Sequence, residues 1–356
     1  MSQLEKTKPN IFNIATKELS QDAFITWLLR WGDSSNEKYD KALRDCGVAF
    51  VTELIKTKIP EFNEIVASVS ANRQRENIDV WAVVNHRYLI IIEDKTFTKQ
   101  HSGQLKRYKE AAAEWEWEKD KKYEYVICIY LKTGNESQQS LKKVIRDGFA
   151  IYSRQNFIEL LKRHNIKNDI FIDFKERLSK LEDRNHKWKS NLIEDWKGDE
   201  WQGFYQYLEE KMKIVRWDFV NNSSGGFWNA VLNWDYWGVY PVYLQTEQRK
   251  LCFKISTVDF KEDSTPNEVN RTKVRNIVSK TILEAAKDDN LPMIRKPKRF
   301  GNGKYMTLAV VDSEHWLGNK NEKVNQDKVV KQLKVYKDFL LETIKNRAGL
   351  FEGEGH

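Results

Sequence analysis

Cysteine is scarce in this chain. Cys46, Cys128 and Cys252 are the three in 356 residues. They are widely spaced, odd in number and form no Cys-x-x-Cys pair. That excludes a disulfide framework and a cysteine-built zinc site, and a reducing cytoplasm is the expected compartment. Long apolar runs are missing too. No stretch approaches the roughly 18 apolar residues that a membrane span needs. Met1-Ser2-Gln3-Leu4-Glu5-Lys6 lacks an apolar signal core, so no membrane is expected among the partners. There is no internal repeat.

What is present is charge. Charged residues are 31% and hydrophobic residues 40%, the balance of a globular protein with a heavily charged surface. The length suits two ordinary domains. Net charge is +8, with pI near 9.0. An excess of that sign favours an anionic partner, nucleic acid being the commonest. A merely solvated basic surface has the same composition.

Periodicity predicts helices over 18–31, 38–57, 99–118 and from Ser153 to His164. It predicts strands near 65–71, 78–84, 88–95, 123–131 and 149–152. This order predicts an α/β domain over residues 1–175, with a mixed central sheet flanked by helices. A charged linker is expected over 176–198. Residues 199–350 read as an α+β domain with an antiparallel sheet, suited to substrate or partner recognition. Its expected helices are 200–212, 266–286 and 325–345. Its expected strands are 216–220, 226–234, 238–246, 250–258 and 306–311.

The most informative stretch is Ile78-Asp79-Val80-Trp81-Ala82-Val83-Val84, a turn at Asn85-His86, then Tyr88-Leu89-Ile90-Ile91-Ile92-Glu93-Asp94-Lys95. In an antiparallel hairpin the start of the first strand lies beside the end of the second. Side chains alternate along a strand, so Glu93 and Lys95 share one face and Asp94 takes the other. Asp79, Glu93 and Lys95 can therefore converge. Two carboxylates are hard oxygen ligands for Mg²⁺, which neutralises a phosphate and lowers the pKa of bound water. A lysine beside them can orient that water. The competing reading is a solvated charge cluster at a strand end.

With these residues the chain resembles the PD-(D/E)xK nuclease superfamily. Its signature is an acid on one strand, then acid-x-lysine at the end of the next. Here Ile78 replaces the proline that precedes the first acid. Two flanking stretches extend the likeness. Glu18-Leu19-Ser20-Gln21-Asp22-Ala23-Phe24-Ile25-Thr26-Trp27-Leu28-Leu29 looks like the first helix of one prokaryotic branch, whose leading glutamate joins the metal site. Gln104-Leu105-Lys106-Arg107-Tyr108 resembles the Gln-x-x-x-Tyr motif of RecB-like nucleases. Gln104 and Tyr108 share a helix face, and His101 lies on it too.

The resemblance covers about residues 10–165. It implies a restriction-endonuclease-like core and a Mg²⁺-dependent nuclease, with Mn²⁺ as substitute, hydrolysing DNA in prokaryotic or phage defence. It implies metal ligation by Asp79, Glu93 and Glu18, and catalytic roles for these with Lys95, Gln104 and Tyr108. A homodimer or a partner protein fits the same family. The rival expectations are a nucleic-acid-binding module without catalysis and an interaction subunit of a larger defence complex.

Further contacts with nucleic acid are expected of Arg73 and Arg75, ahead of Asp79, as a phosphate clamp beside the metal, and of His101 as a phosphate or substrate contact. The loop Arg295-Lys296-Pro297-Lys298-Arg299-Phe300-Gly301-Asn302-Gly303-Lys304 could track a backbone. Both groups also suit ordinary loops. Phe227, Trp228, Trp234, Tyr236 and Trp237 could stack on bases or form core.

Overall fold

The turn after Val84 sets the first sheet. Its central residues, Asn85 and His86, both have positive φ, 49° and 55°, and Arg87 N–H closes it on Val84 O at 3.1 Å. Such turns match the right-handed twist of paired strands. In this computed structural model, which describes residues 8–100, 103–223, 225–262 and 269–351, the turn joins β2 (Ile78–Val84) to β3 (Tyr88–Lys95). The first unit comprises residues up to Glu136 together with Ser140–Arg184.

The helices before this hairpin are α1 (Ile11–Ile14), α2 (Glu18–Trp31) and α3 (Lys41–Lys56), and β1 (Val69–Arg75) precedes β2. Next come α4 (Gln104–Ala113), the small hairpin β4 (Glu116–Glu118) and β5 (Lys121–Lys122), then β6 (Tyr125–Lys132) and α5 (Gln138–Arg146). The unit ends with β7 (Ala150–Ser153), α6 (Arg154–Arg163) and α7 (Asp169–His186). Ser153 and Asn156 form a reciprocal cap on α6.

The sheet order is β1-β2-β3-β6-β7. The first three strands are antiparallel, and β3, β6 and β7 run parallel. The mixed sheet flanked by helices is thus as the sequence predicts. β3 is central and buried along its whole length, so the charges at its end are held by the best-packed strand of the unit.

One face of the sheet, with Val80, Ala82, Ile90, Ile92, Ile127 and Ile129, packs under α2, α3, α6 and α7. Phe24 of α2 stacks on Phe174 of α7 at 3.7 Å between ring centres. Helices α2 and α3 cross closely. A Cβ on Gly47 would come within 2.8 Å of the Leu28 carbonyl oxygen. On the opposite face Leu89, Ile91, Cys128 and Tyr130 pack with Leu105, Tyr108 and Ala112 of α4.

The helix expected over 99–118 is shorter. It stops at Ala113, because the chain turns back through Asp120 (φ 61°) and pairs β4 with β5. Trp115 is drawn to the sheet, where its indole N–H donates to Glu76 at 3.1 Å. Helices α5 and α7 were not foreseen. The apolar stripe of α7 is Phe171, Phe174, Leu178 and Leu181, set among charges that give the segment the composition of a linker.

The second unit comprises Ser137–Gln139 and the residues from Asn185 onward. It contains α8 (Gly198–Met212), β8 (Arg216–Val220), β9 (Phe227–Val231), β10 (Asp235–Trp237), β11 (Tyr240–Glu247), β12 (Lys250–Ser256), α9 (Arg271–Asp288), β13 (Tyr305–Asp312) and α10 (Gln326–Asn346). Its separate antiparallel sheet has the order β13-β12-β11-β9-β8, with β10 on β11. Leu244, Phe253 and Leu308 share a core with Phe204, Ile282 and Leu340 from the three helices. Trp188, Ile193 and Trp196, within the stretch read as a linker, are buried in that core. The helix expected from Pro266 begins at Arg271; Pro266 itself lies outside the described residues. Among the described residues no helix is long and apolar enough to cross a membrane.

Candidate active site

The β2–β3 ladder ends at the pair Val80 and Ile92. Beyond it, the Asp79 carboxylate accepts the Asp94 N–H at 2.9 Å and replaces the next backbone bond. This turns Asp79 toward the end of β3. Lys95 Nζ lies 2.5 Å from Glu93 Oε1 and 3.6 Å from Asp79 Oδ2, and it donates to the Asp94 carbonyl at 3.1 Å. From α4, Gln104 Nε2 donates to Glu93 Oε1 at 2.8 Å and to the Tyr108 hydroxyl at 2.9 Å. The structure therefore brings together Asp79, Glu93, Lys95, Gln104 and Tyr108.

Burial is uneven across this group. The Glu93 side chain is fully buried, that of Lys95 is 10% exposed and that of Asp79 is 27% exposed. Burial, and then the neighbouring Asp79, push the Glu93 carboxyl up to about 8. Burial works against the Lys95 ammonium, but Glu93 and Asp79 outweigh it and raise its pKa. Glu93 and Asp79 are within hydrogen-bonding reach of each other, while Glu93 Oε2 is buried without a partner. Crowded carboxylates with an orphaned oxygen are the arrangement a cation relieves.

Two carboxylates, with waters and substrate phosphate completing the shell, suit Mg²⁺. Among the described residues no cluster of three or more His, Cys, Asp and Glu side chains is arranged to hold a metal ion. Glu18 Oε1 instead accepts the Thr96 N–H at 2.8 Å and the Thr98 hydroxyl at 2.9 Å. Burial opposes its charge, but these bonds and Lys95 hold its pKa below the usual value. It is anchored at the edge of the site by the segment after Lys95.

The same helix adds two residues that the sequence reading passed over. Gln21 Nε2 donates to Asp94 Oδ1 at 2.5 Å and Gln21 Oε1 accepts from Thr133 at 3.0 Å. Asp22 is buried beside Asp94; burial and then Asp79 push its carboxyl up to about 7. The signal was their spacing: Glu18, Gln21 and Asp22 lie at i, i+3 and i+4 on one helix face. Asp94 thus faces away from Glu93, as strand alternation requires, and its side chain fastens α2 to the sheet.

The expected nucleic-acid contacts divide. Arg73 donates to the Leu19 carbonyl of α2 at 3.0 Å. Arg75 sits over Trp115, its guanidinium 3.8 Å from the ring centre, with Trp81 5.7 Å away. His101 lies outside the described residues. In the second unit Arg295 is held by Asp312 through bonds of 2.6 to 3.0 Å. Its guanidinium thus anchors the loop to β13. Lys296, Lys298 and Arg299 of that loop are exposed. Trp237 is buried in the core of the second unit, and Trp228 packs partly buried against it. Trp234 stacks on Tyr243 at 4.7 Å.

The model of the PD-(D/E)XK nuclease superfamily matches residues 9–227. The chain belongs to that superfamily. No curated protein and no solved structure matches it. The superfamily match spans α2, the β2–β3 hairpin and α4, the elements that carry every residue of the site above. It continues through α8 to the start of β9.

Proposed function

We propose that this PD-(D/E)XK protein is a divalent-metal-dependent nuclease that hydrolyses phosphodiester bonds of DNA. One observation carries the reading: Asp79, Glu93 and Lys95 converge at the end of the central strand of a superfamily member. Asp79 and Glu93 would hold Mg²⁺, or Mn²⁺ in its place. When bound, that ion supplies charge neutralisation at the phosphate and a lowered pKa for its water.

The chain's own residues do the rest. Lys95, kept cationic by its two acids, orients the attacking water and faces the negative charge that grows on the phosphate. Gln104 fixes one oxygen of Glu93 and leaves the other for the cation. Tyr108 buttresses Gln104. Glu18 adds negative charge at the rim. Arg75, preorganised on Trp115, is placed to meet a phosphate. The first unit is then the nuclease domain, and the second, with Lys296, Lys298 and Arg299, a substrate or partner recognition domain. A role in prokaryotic or phage defence, as a homodimer or with a partner protein, belongs to the same reading. The likeness of the Glu18 helix to a prokaryotic branch supports it.

The test is cleavage of supercoiled plasmid and of a labelled single strand, with Mg²⁺, Mn²⁺ or EDTA. Wild type should cut in a metal-dependent way, and Lys95→Ala should lose about 10²–10³-fold. Salt-sensitive binding with no cutting by either protein would leave a nucleic-acid-binding module.

A further inference from the structure

A second lysine ends the strand beside β3. β3 and β6 are parallel, and Lys95 pairs in register with Lys132. Both lysines lie on the α4 side of the sheet, because Cys128 and Tyr130 on β6 face the same way as Leu89 and Ile91 on β3. Lys95 enters the site. Lys132 is only 4% exposed and turns instead to the segment that follows Lys95. Its Nζ donates to the Thr98 carbonyl at 2.7 Å and lies 3.3 Å from Glu136, whose side chain is fully buried.

Glu136 is itself fixed. It accepts the Tyr130 hydroxyl at 2.9 Å and a bond from Ser140. A buried ammonium with so few exits has one geometry, and that geometry is passed to Thr98. The Thr98 hydroxyl and the Thr96 N–H both donate to Glu18, and the Thr98 N–H also favours its charge. The exit from β6 closes the other side of this segment. A Cβ on Gly134 would overlap the Thr96 carbonyl, and the hydroxyls of Thr96 and Thr133 are 2.9 Å apart.

We propose that Lys132 is a positioning residue. Through the Thr98 carbonyl it fixes the Thr96–Thr98 segment, and that segment holds the Glu18 carboxylate toward the cation. The inference rests on the nuclease reading for its second half, the link to the cation. The first half, Lys132 to Glu18, stands on geometry alone.

The test separates the halves. Lys132→Met alone would strand the Glu136 charge in the interior, so the variant is Lys132→Met with Glu136→Gln. Thr98→Ala, at an exposed position, is a second variant: it keeps the backbone carbonyl that Lys132 holds and removes only the hydroxyl that donates to Glu18. In the metal-free protein the Thr96 amide should exchange with solvent at least about 10-fold faster in both variants, with the Asp94 amide unchanged. Equal Thr96 exchange in wild type and variants overturns the proposal.

Mn²⁺ binding, read by calorimetry, tests the link to the site. Wild type should bind, and Glu18→Gln, Thr98→Ala and the Lys132/Glu136 pair should each weaken binding about 10-fold or more, the usual cost of losing an outer partner of a metal site. Adding Glu18→Gln to the Lys132/Glu136 pair should weaken it no further. Additive losses, or a Lys132/Glu136 variant that binds like wild type, overturn the link. A wild type that binds no Mn²⁺ while Thr96 exchange still rises in the variants would sink the nuclease reading and leave the positioning role standing.

Discussion

The ammonium of Lys95 lies 2.5 Å from Oε1 of Glu93, two residues back on the same strand. Strand alternation puts them on one face, and the fully buried Glu93 gains from Lys95 the countercharge that its surroundings deny it. The other Glu93 oxygen has no partner. The pair is thus half neutralised and half open.

Asp79 completes the crowding, so Asp79→Asn should stabilise the metal-free protein while abolishing cutting. The asparagine Oδ1 can keep the Asp94 N–H bond. Its amide can donate to Glu93 at any pH, whereas the Asp79 carboxylate can pair with Glu93 only while the two acids share a proton. Lys95 loses a partner at 3.6 Å but keeps the one at 2.5 Å, so relief should exceed loss by about 1 kcal/mol, a rise of roughly 2–4 °C in Tm. Thermal melts in EDTA check this. An unchanged or lower Tm would show that Asp79 does not strain the site.

Gln104 and Tyr108 should differ in weight. Gln104 touches Glu93 directly, and Tyr108 is hydrogen-bonded to Gln104. Gln104→Ala should raise the Mg²⁺ concentration needed for half-maximal cleavage by about 10–100-fold. Tyr108→Phe keeps the ring between α4 and the sheet and should change it less than about 10-fold. Equal effects in a Mg²⁺ titration would mean that the phenol meets the substrate.

The legible part of the site was the part encoded by local period. Two-residue alternation placed Glu93 with Lys95, and the four-residue helical repeat placed Gln104 with Tyr108. What was not legible depends on contacts between distant segments. Gln21 meets Asp94 across a separation of 73 residues, and Lys132 meets Thr98 only because β6 lies beside β3. The same holds for the fold. The mixed sheet could be read from its strand patterns. The α4 end could not, since Trp115 leaves a helical pattern to reach Glu76. The 176–198 segment misled because its charges outnumber the few residues, Leu178, Leu181, Trp188, Ile193 and Trp196, that bury it.

Asp312 gives a pH prediction. Its hydrogen bonds from Arg295 hold its carboxyl below the usual range. The folded-state value is depressed, so the stabilisation is present above the unfolded value, near 3.8, and is lost as pH falls through the folded one. The pair is 40% and 49% exposed, so after screening its worth is less than about 1 kcal/mol. In Arg295→Ala the Asp312 carboxyl should titrate higher, read by carbon NMR, and the acid limb of the melting curve should flatten. An unmoved titration would show that Arg295 does not govern this group.

That engagement also sorts the basic loop. A guanidinium already spent on Asp312 has little left for a phosphate, whereas Lys296, Lys298 and Arg299 are exposed, Lys296 with its ammonium 4.6 Å from the Phe300 ring centre. Each cation that displaces counterions from a nucleic acid contributes about one unit to the slope of log K against log salt. Lys296→Ala with Lys298→Ala and Arg299→Ala should therefore lower DNA affinity and flatten that slope by about 2–3. Arg295→Ala should flatten it by well under 1, and Arg75→Ala, at the active-site end, by about 1. Fluorescence anisotropy over a salt series with inactive Lys95→Ala protein as background measures all three. If the triple variant binds with the wild-type slope, the loop is solvated surface and the proposed recognition role of the second unit loses this support.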